Sequence, residues 1–395
     1  MKKISKFGFA ALMTGLLSME NQGVACSDVF INKPGYHIEA RTLDFLVNLA
    51  FDNRAGFIGT ENKTDVILDA DKIPAEKLAS WKNKYGYFGR AAFKGTRIVD
   101  AMNTEGFSVA ILYLPGSKFP AYDSKDQRKV LSIYDIASFL LGQVATVAEG
   151  VHLLRSYQLV QSAAQTENGV FVKDIPIHYV MRDKTGDSAV VEFIDGKVKI
   201  YEKAGDIITN SPPFDWQLKN AAHYDSLLAT NAGPNEEFRK AVYDYNEIYD
   251  SAKHKGEANL LGTLGDFTPP SRFARARVLL NNFQEPSSRD VALALANALN
   301  SSLSVPPLEG AALTLWSTIK DLDEGVYYTN DIVRFQGDRS LFAYSIITGY
   351  TPYDLKNINF TVSDPDLALS VQPTPSDQVK KILSVDSIKL TSAGE

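Results

Sequence analysis

A lone cysteine, Cys26, preceded by Gly23-Val24-Ala25, is the first residue of this chain whose type and placement could do chemistry. Ahead of it, Lys2, Lys3 and Lys6 lead into an apolar run from Phe7 to Met19 and then polar Glu20-Asn21-Gln22. A basic start, a short apolar centre and small residues before a cut make a secretory signal. The run is too short to cross a bilayer, which takes about 20 apolar residues. Gly23 and Ala25 put the expected cut between Ala25 and Cys26, so residues 1–25 read as a signal peptide that is removed. The mature chain would then open on a cysteine, with a thiol and a free α-amine on adjacent carbons. Isolated, these groups titrate near roughly 8.5 and 8, so the amine can take the thiol's proton. One residue then supplies both nucleophile and base. An exported lone cysteine has no disulfide partner within its chain. The leader alone leaves it a relic, a lipid attachment point or a reactive thiol. Lipid would block both groups, but lipoprotein signals normally carry Leu or a similar residue where Gly23 stands.

Downstream, Arg41-Thr42-Leu43-Asp44-Phe45 holds the charges such a cysteine needs. A cation at Arg41 would favour thiolate, and a carboxylate at Asp44 could hold the α-amine. A strand alternates faces, so Arg41 and Asp44 would need a local bend to share one site. Composition narrows the partners. The net charge is −6, and the leader carries three lysines against one glutamate, so the mature part is near −8. That argues against nucleic acid or an anionic membrane as partner. After the leader no apolar run could span a membrane, so no stable insertion is expected. The five histidines (37, 152, 178, 223 and 254) have no metal-ligand spacing, and no metal is expected.

The elements that must position these residues follow from period and punctuation. Strands are expected on either side of Lys33-Pro34-Gly35, over Thr64 to Asp69 and over Gly106 to Leu114. Lys72 to Lys84 reads as a polar surface helix, and Ile133 to Val147 with Val147 to Tyr157 as an adjacent helix pair. From Ile177 the period drops to two, giving strands at 179–182, 189–193 and 197–201, with Asp195-Gly196 as a hairpin turn. Helices are expected over Trp216 to Leu228, Glu236 to Ile248, Arg272 to Phe283 and Arg289 to Asn300. Strands follow over Thr314 to Asp321, Gly325 to Thr329 and Leu341 to Ile347. This order suggests packed antiparallel sheets with helices outside, not a doubly wound parallel sheet. One catalytic domain is expected over 26–372, with a loosely tied tail over 373–395.

Cys26, Arg41-Thr42-Leu43-Asp44, Met102-Asn103-Thr104-Glu105-Gly106, Leu112-Tyr113 and Thr209-Asn210-Ser211-Pro212 stand in one order. Phe214-Asp215-Trp216-Gln217, Gly265-Asp266-Phe267-Thr268, Ser271-Arg272-Phe273, Thr314-Leu315-Trp316, Asp321 and Tyr327-Tyr328 continue it. Each motif is weak alone; in register behind Cys26 they resemble the choloylglycine hydrolase family of N-terminal nucleophile hydrolases. The resemblance implies an α+β fold, a four-layer αββα sandwich of two antiparallel sheets flanked by helices. It implies hydrolysis of a linear amide through an acyl-thioester on Cys26, with no cofactor and a small-molecule amide as partner. Cys26 is similar to the family's nucleophile, Arg41 and Asp44 to its immediate partners, and Arg272 to its charge-balancing arginine. Asn210 is similar to the oxyanion asparagine, and Tyr113 to the residue whose backbone N–H is the second oxyanion donor. Trp316 and Tyr327 read as core. Phe45 would line an apolar acyl pocket.

Tyr113 and Thr42 resemble the penicillin V acylase branch; bile salt hydrolases tend to carry Asn at the Tyr113 position and after the arginine. Exported Gram-negative relatives, some of which also cleave N-acyl homoserine lactones, share the leader and the acidic-aromatic segment from Asp69 to Phe88. The expected location is the periplasm or outside the cell. Conjugated bile salt hydrolysis is the alternative, ceramide-like or peptide amides belong to neighbouring families, and a lipid-anchored binding protein on the same scaffold is the reading from another class. Homo-oligomerisation is left open.

Overall fold

The computed structural model describes residues 25–45, 51–66, 72–93, 97–165, 171–173, 175–225, 263–306, 312–331, 333–336, 341–344 and 349–361. Two antiparallel sheets dominate it. In chain order their strands are β1 (Ala25–Lys33), β2 (Tyr36–Phe45), β3 (Phe51–Gly56), β4 (Tyr87–Ala92), β5 (Arg97–Asn103), β6 (Phe107–Tyr113), β7 (Ile177–Asp183), β8 (Ser188–Ile194), β9 (Lys197–Glu202), β10 (Ile207–Ile208), β11 (Leu313–Asp321), β12 (Val326–Asp331) and β13 (Thr351–Asp354). The first sheet runs β10-β1-β2-β11-β12-β13 and the second β9-β8-β7-β6-β5-β4-β3. Helices α1 (Ile136–Gln143) and α2 (Val147–Arg155) cover the second sheet; α3 (Phe214–Ala221), α4 (Pro269–Asn282) and α5 (Arg289–Leu303) cover the first. This is the four-layer sandwich expected.

The β1–β2 hairpin turns at Gly35, whose φ of 81° lies in the left-handed region that glycine enters without strain. In register, Cys26 faces Leu43, Asp28 faces Arg41 and Phe30 faces Glu39. Because β2 is buried on both faces, its alternation sorts residues by layer rather than by solvent. Ile38 and Ala40 go under the helices, whereas Glu39 and Arg41 enter the layer between the sheets. There Arg41 reaches β5 and β6, and Lys320 of β11 reaches Glu39 at 2.6 Å and Asp100 at 2.5 Å. Apolar contacts among Leu43, Ala110, Leu112, Val180 and Val190 fill the rest of that layer. Charge at the centre and apolar side chains outside is the reverse of a simple sandwich.

Three expectations need correction. Lys72 to Lys84 is not a helix. Beyond Pro74 it holds one 3-10 turn, Ala75–Lys77, and a short strand, Ser80–Lys82, that pairs with Glu61–Lys63. Extended backbone there buries Ala79 and Trp81 while Ser80 and Lys82 stay exposed, and Trp81 meets Phe139 edge-on at 5.1 Å. That packing outweighs helix propensity. Thr64 to Val66 is not strand, and 67–69 lie outside the described residues, as do the leader through residue 24, Glu236 to Ile248, 345–347 and the tail. Finally, β2 is one unbroken strand through Arg41 and Asp44; the irregularity falls on its neighbour β11, between Thr314 and Trp316.

The Asn103-to-Gly106 motif is architectural. The Asn103 carboxamide accepts from the N–H groups of Glu105 and Phe107 and donates to the carbonyls of Leu141 and Val144, tying the β5–β6 turn to α1. Gly106 sits at φ 76°, and a Cβ there would lie 2.3 Å from the Leu322 carbonyl oxygen, so only glycine fits.

Candidate active site

Cys26 is buried at the start of β1, and four side chains expected from the sequence surround it. Its own N–H donates to the Asn210 Oδ1. Its carbonyl accepts from Arg272 Nη1 at 2.7 Å, and the same guanidinium donates to Ser27 Oγ, to Asn210 Oδ1 (3.0 Å) and to the Phe267 carbonyl (3.0 Å). These bonds fix the Asn210 amide with its oxygen toward Cys26 and Arg272. Its NH₂ donates to the Tyr113 carbonyl at 2.6 Å. An amide NH₂ carries two hydrogens, and among the described residues this is its single recorded acceptor.

Arg41 and Asp44 approach from opposite faces of the first sheet. Arg41 lies on the inter-sheet side, its guanidinium donating to the carbonyls of Val99 (2.6 Å) and Ile111 and pairing with Asp100 at 3.1 Å. The Trp316 ring stacks under it, 5.2 Å away. Asp44 lies on the helix side, accepts from the Thr314 hydroxyl and has Arg272 at 3.7 Å. Both charges act on the cysteine: Arg41 shares its inter-sheet face, and Asp44 sits one register step away, opposite Ala25. No bend is needed. With Ala25 still attached, the Cys26 N–H meets Asn210; the sequence assigned Asp44 to the free α-amine.

Tyr113 is buried, and its contact with the site is through its carbonyl. Phe45 is half-buried at the end of β2, opposite Leu313, just before residues that are not described. A cavity of about 610 Å³ opens near this end, lined by Phe267, Arg275, Val305, Leu313 and Thr314 among others. It touches Thr314, the partner of Asp44, but not Cys26, and so lies beside the site. Trp316 and Tyr327 are buried as expected, yet each also serves the charges: Trp316 under Arg41, Tyr327 by donating to Asp100 at 2.5 Å. Ser27, Asp100 and Thr314 were missed as site residues. Asp100 directly precedes the Ala101-Met102-Asn103 run and Thr314 opens a quoted motif, but neither type nor spacing pointed to a partner.

Burial pushes the Cys26 thiol up; Arg41 pulls hardest against that, Asp44 adds to it, and Arg272 also lowers it. Burial raises Asp44 to about 7 against the pull of Arg272, and it raises Glu39 to about 8, with Asp28 adding to the shift. Asp100 is held at about 2, where Lys320 and Arg41 outweigh its burial. An acid raised on folding holds a proton that the unfolded chain releases near roughly pH 4. Folding then takes up protons, and stability falls as pH rises from there to the folded value. Asp100 acts oppositely, but its contribution is complete above about pH 4. The melting temperature is therefore expected to decline between about pH 4.5 and 8, and Glu39→Gln should flatten the slope. Scanning calorimetry across that range checks this; a rising melting temperature would contradict it.

Two antiparallel sheets between helices, with a cysteine at the start of a central strand ringed by two arginines, an aspartate and an asparagine, define the fold of the N-terminal nucleophile hydrolases. The chain belongs to the choloylglycine hydrolase family of linear amide C–N hydrolases, whose family model matches residues 26–339. It is 26% identical over 299 residues to the penicillin V acylase of Pectobacterium atrosepticum, covering 71% of this chain and 69% of that one. It is 25% identical over 313 residues to a bile salt hydrolase/transferase of Clostridium perfringens, covering 75% and 86%. Among solved structures, the penicillin V acylase of Agrobacterium tumefaciens superposes with a TM-score of 0.60 at 21% identity, covering 89% of this chain and 98% of that one.

Proposed function

We propose that this protein is exported, is cut between Ala25 and Cys26, and hydrolyses a linear amide with Cys26 as nucleophile. The observation that carries the reading is the convergence of Arg41, Asp44, Asn210 and Arg272 on one buried cysteine. After the cut, the α-amine of Cys26 replaces the N–H that now meets Asn210. The neutral amine takes the thiol proton, and the thiolate, favoured by Arg41 and Arg272, attacks the amide carbon. A C–S bond forms, and the carbonyl oxygen becomes an oxyanion that takes the second Asn210 N–H and the backbone N–H of Tyr113. The protonated amine gives its proton to the leaving nitrogen as the C–N bond breaks. Water, deprotonated by the same amine, then attacks the thioester, the acid leaves and the thiol is restored.

The substrate reading favours an aryloxyacetyl or fatty acyl amide, of the kind penicillin V and N-acyl homoserine lactones present, over a conjugated bile salt. Tyr113 and Thr42 support it, since a ring beside the scissile bond leaves less room for a rigid steroid. Purified mature protein assayed on penicillin V, acyl homoserine lactones and glycocholate is expected to show at least about a tenfold higher kcat/KM for one of the first two classes, about 1.4 kcal/mol of discrimination. Tyr113→Asn should narrow that ratio while leaving Cys26 reactive toward a small thiol reagent. A preference of that size for glycocholate overturns the substrate reading, leaving the bile salt branch as the better home.

A further inference from the structure

The layer between the sheets holds charged side chains that no step above uses. Asp28 follows Cys26 by two residues on the same face of β1 and pairs with Arg182 of β7, Nε to Oδ1, at 2.9 Å. Its other oxygen, Oδ2, is buried without a donor. Glu39 of β2 lies on the same buried face, diagonal to Asp28 across the β1–β2 register, where Asp28 faces Arg41 and Glu39 faces Phe30. Glu39 also accepts from Ser108 of β6 and, at 2.6 Å, from Lys320 of β11. Lys320 spans to Asp100 of β5, which takes Arg41 at 3.1 Å, the Thr318 hydroxyl at 2.9 Å and the Tyr327 hydroxyl of β12 at 2.5 Å. Arg272 and Asp44 lie across the sheet, on its helix side. The contacts thus run Arg182–Asp28–Glu39–Lys320–Asp100–Arg41, every member at most 1% exposed, and end on the cation that most favours the Cys26 thiolate.

Two neighbouring carboxylates buried in a dry layer oppose each other's ionisation. A proton on Glu39 also supplies the donor that Asp28 Oδ2 lacks. We propose that Asp28 and Glu39 share one proton as a carboxyl–carboxylate pair, and that this proton sets the charge balance behind Cys26. The proposal rests on Cys26 as the reacting thiol. With the proton in place, the cations Arg182, Lys320 and Arg41 face the anions Asp28 and Asp100, leaving one positive charge unmatched at the Arg41 end. Without it, Glu39 cancels that charge. Burial, then Asp28, lift Glu39 to about 8, so the proton leaves in the alkaline range where the raised thiol itself titrates. Each ionisation opposes the other.

The test uses mature protein and two readouts. In infrared difference spectra between about pH 7 and 9.5, a protonated-carboxyl band should disappear on the alkaline side, and its component should be missing from Glu39→Gln. Asp44 gives its own component, so the part lost in that variant is what counts. In Asp28→Asn, where the Asp28 charge no longer raises Glu39 and Asp100 alone still does, the midpoint of the band should move to lower pH. The rate of Cys26 alkylation by iodoacetamide against pH should show a thiol midpoint lower by about one unit in Glu39→Gln, a tenfold gain in rate at a fixed alkaline pH. Spectra identical in parent and both variants, or an unchanged alkylation profile in Glu39→Gln, overturn the proposal. The infrared arm needs no turnover: a Cys26→Ala protein that still hydrolysed amides would sink the nucleophile reading and leave the shared proton standing.

Discussion

Cys26→Ser is expected to fold like the parent and to lose at least about 10⁴ of kcat. A serine hydroxyl is far less acidic than a thiol, and burial already works against the charged form at this position. The α-amine could still act as base, but the group it must deprotonate would lie far above it. The substitution keeps the N–H to Asn210, the Cys26 carbonyl to Arg272 and the Arg41 cluster, because none of them involves the sulfur. Circular dichroism and the melting temperature should therefore stay close to the parent while turnover collapses. Turnover within about tenfold of the parent would place the nucleophile elsewhere.

Asn210→Ala comes second, with kcat expected to fall by about 10² to 10³ and KM to change little. Its NH₂ is aimed by two anchors: the oxygen is held by Cys26 and Arg272, and one hydrogen by the Tyr113 carbonyl. Such a preorganised donor stabilises charge that appears only in the transition state, which is why the loss should fall on kcat. Losing the amide also leaves Arg272 one acceptor short, so some stability should go as well, about 1–3 kcal/mol for a buried donor left unpaired. A change confined to KM would make Asn210 a substrate-positioning residue instead. Asn210→Asp is a useful companion, because a carboxylate keeps the bonds to Arg272 and Cys26 but cannot donate to an oxyanion.

Much of this site was legible because its residues carry their chemistry in their type: one cysteine behind small residues, then an arginine, an aspartate, an asparagine and another arginine in family order. The partners that hold them were not. Thr314 lies 270 positions from Asp44 and Asp100 lies 59 from Arg41, so only the strand order β1-β2-β11 and the packing of β5 against β2 bring them together. Sheet order is set by long-range pairing that period-two patterns cannot rank. The polarity of β2 has a related cause. Glu39 and Arg41 are charged yet fully buried, because Lys320 and Asp100 arrive from strands distant in sequence. The supposed helix over Lys72 to Lys84 failed where one tertiary contact, Trp81 on Phe139, demanded extended backbone.

The central claim is that the working enzyme begins at Cys26 and carries its acyl intermediate there. The most direct measurement is the intact mass of the exported protein, with N-terminal sequencing, before and after acid quenching during turnover. An unmodified chain starting at Cys26 is expected, and in the quenched sample the same chain heavier by one acyl group mapped to Cys26. A chain starting at another residue, a lipid on Cys26, or an acyl group found elsewhere would contradict it.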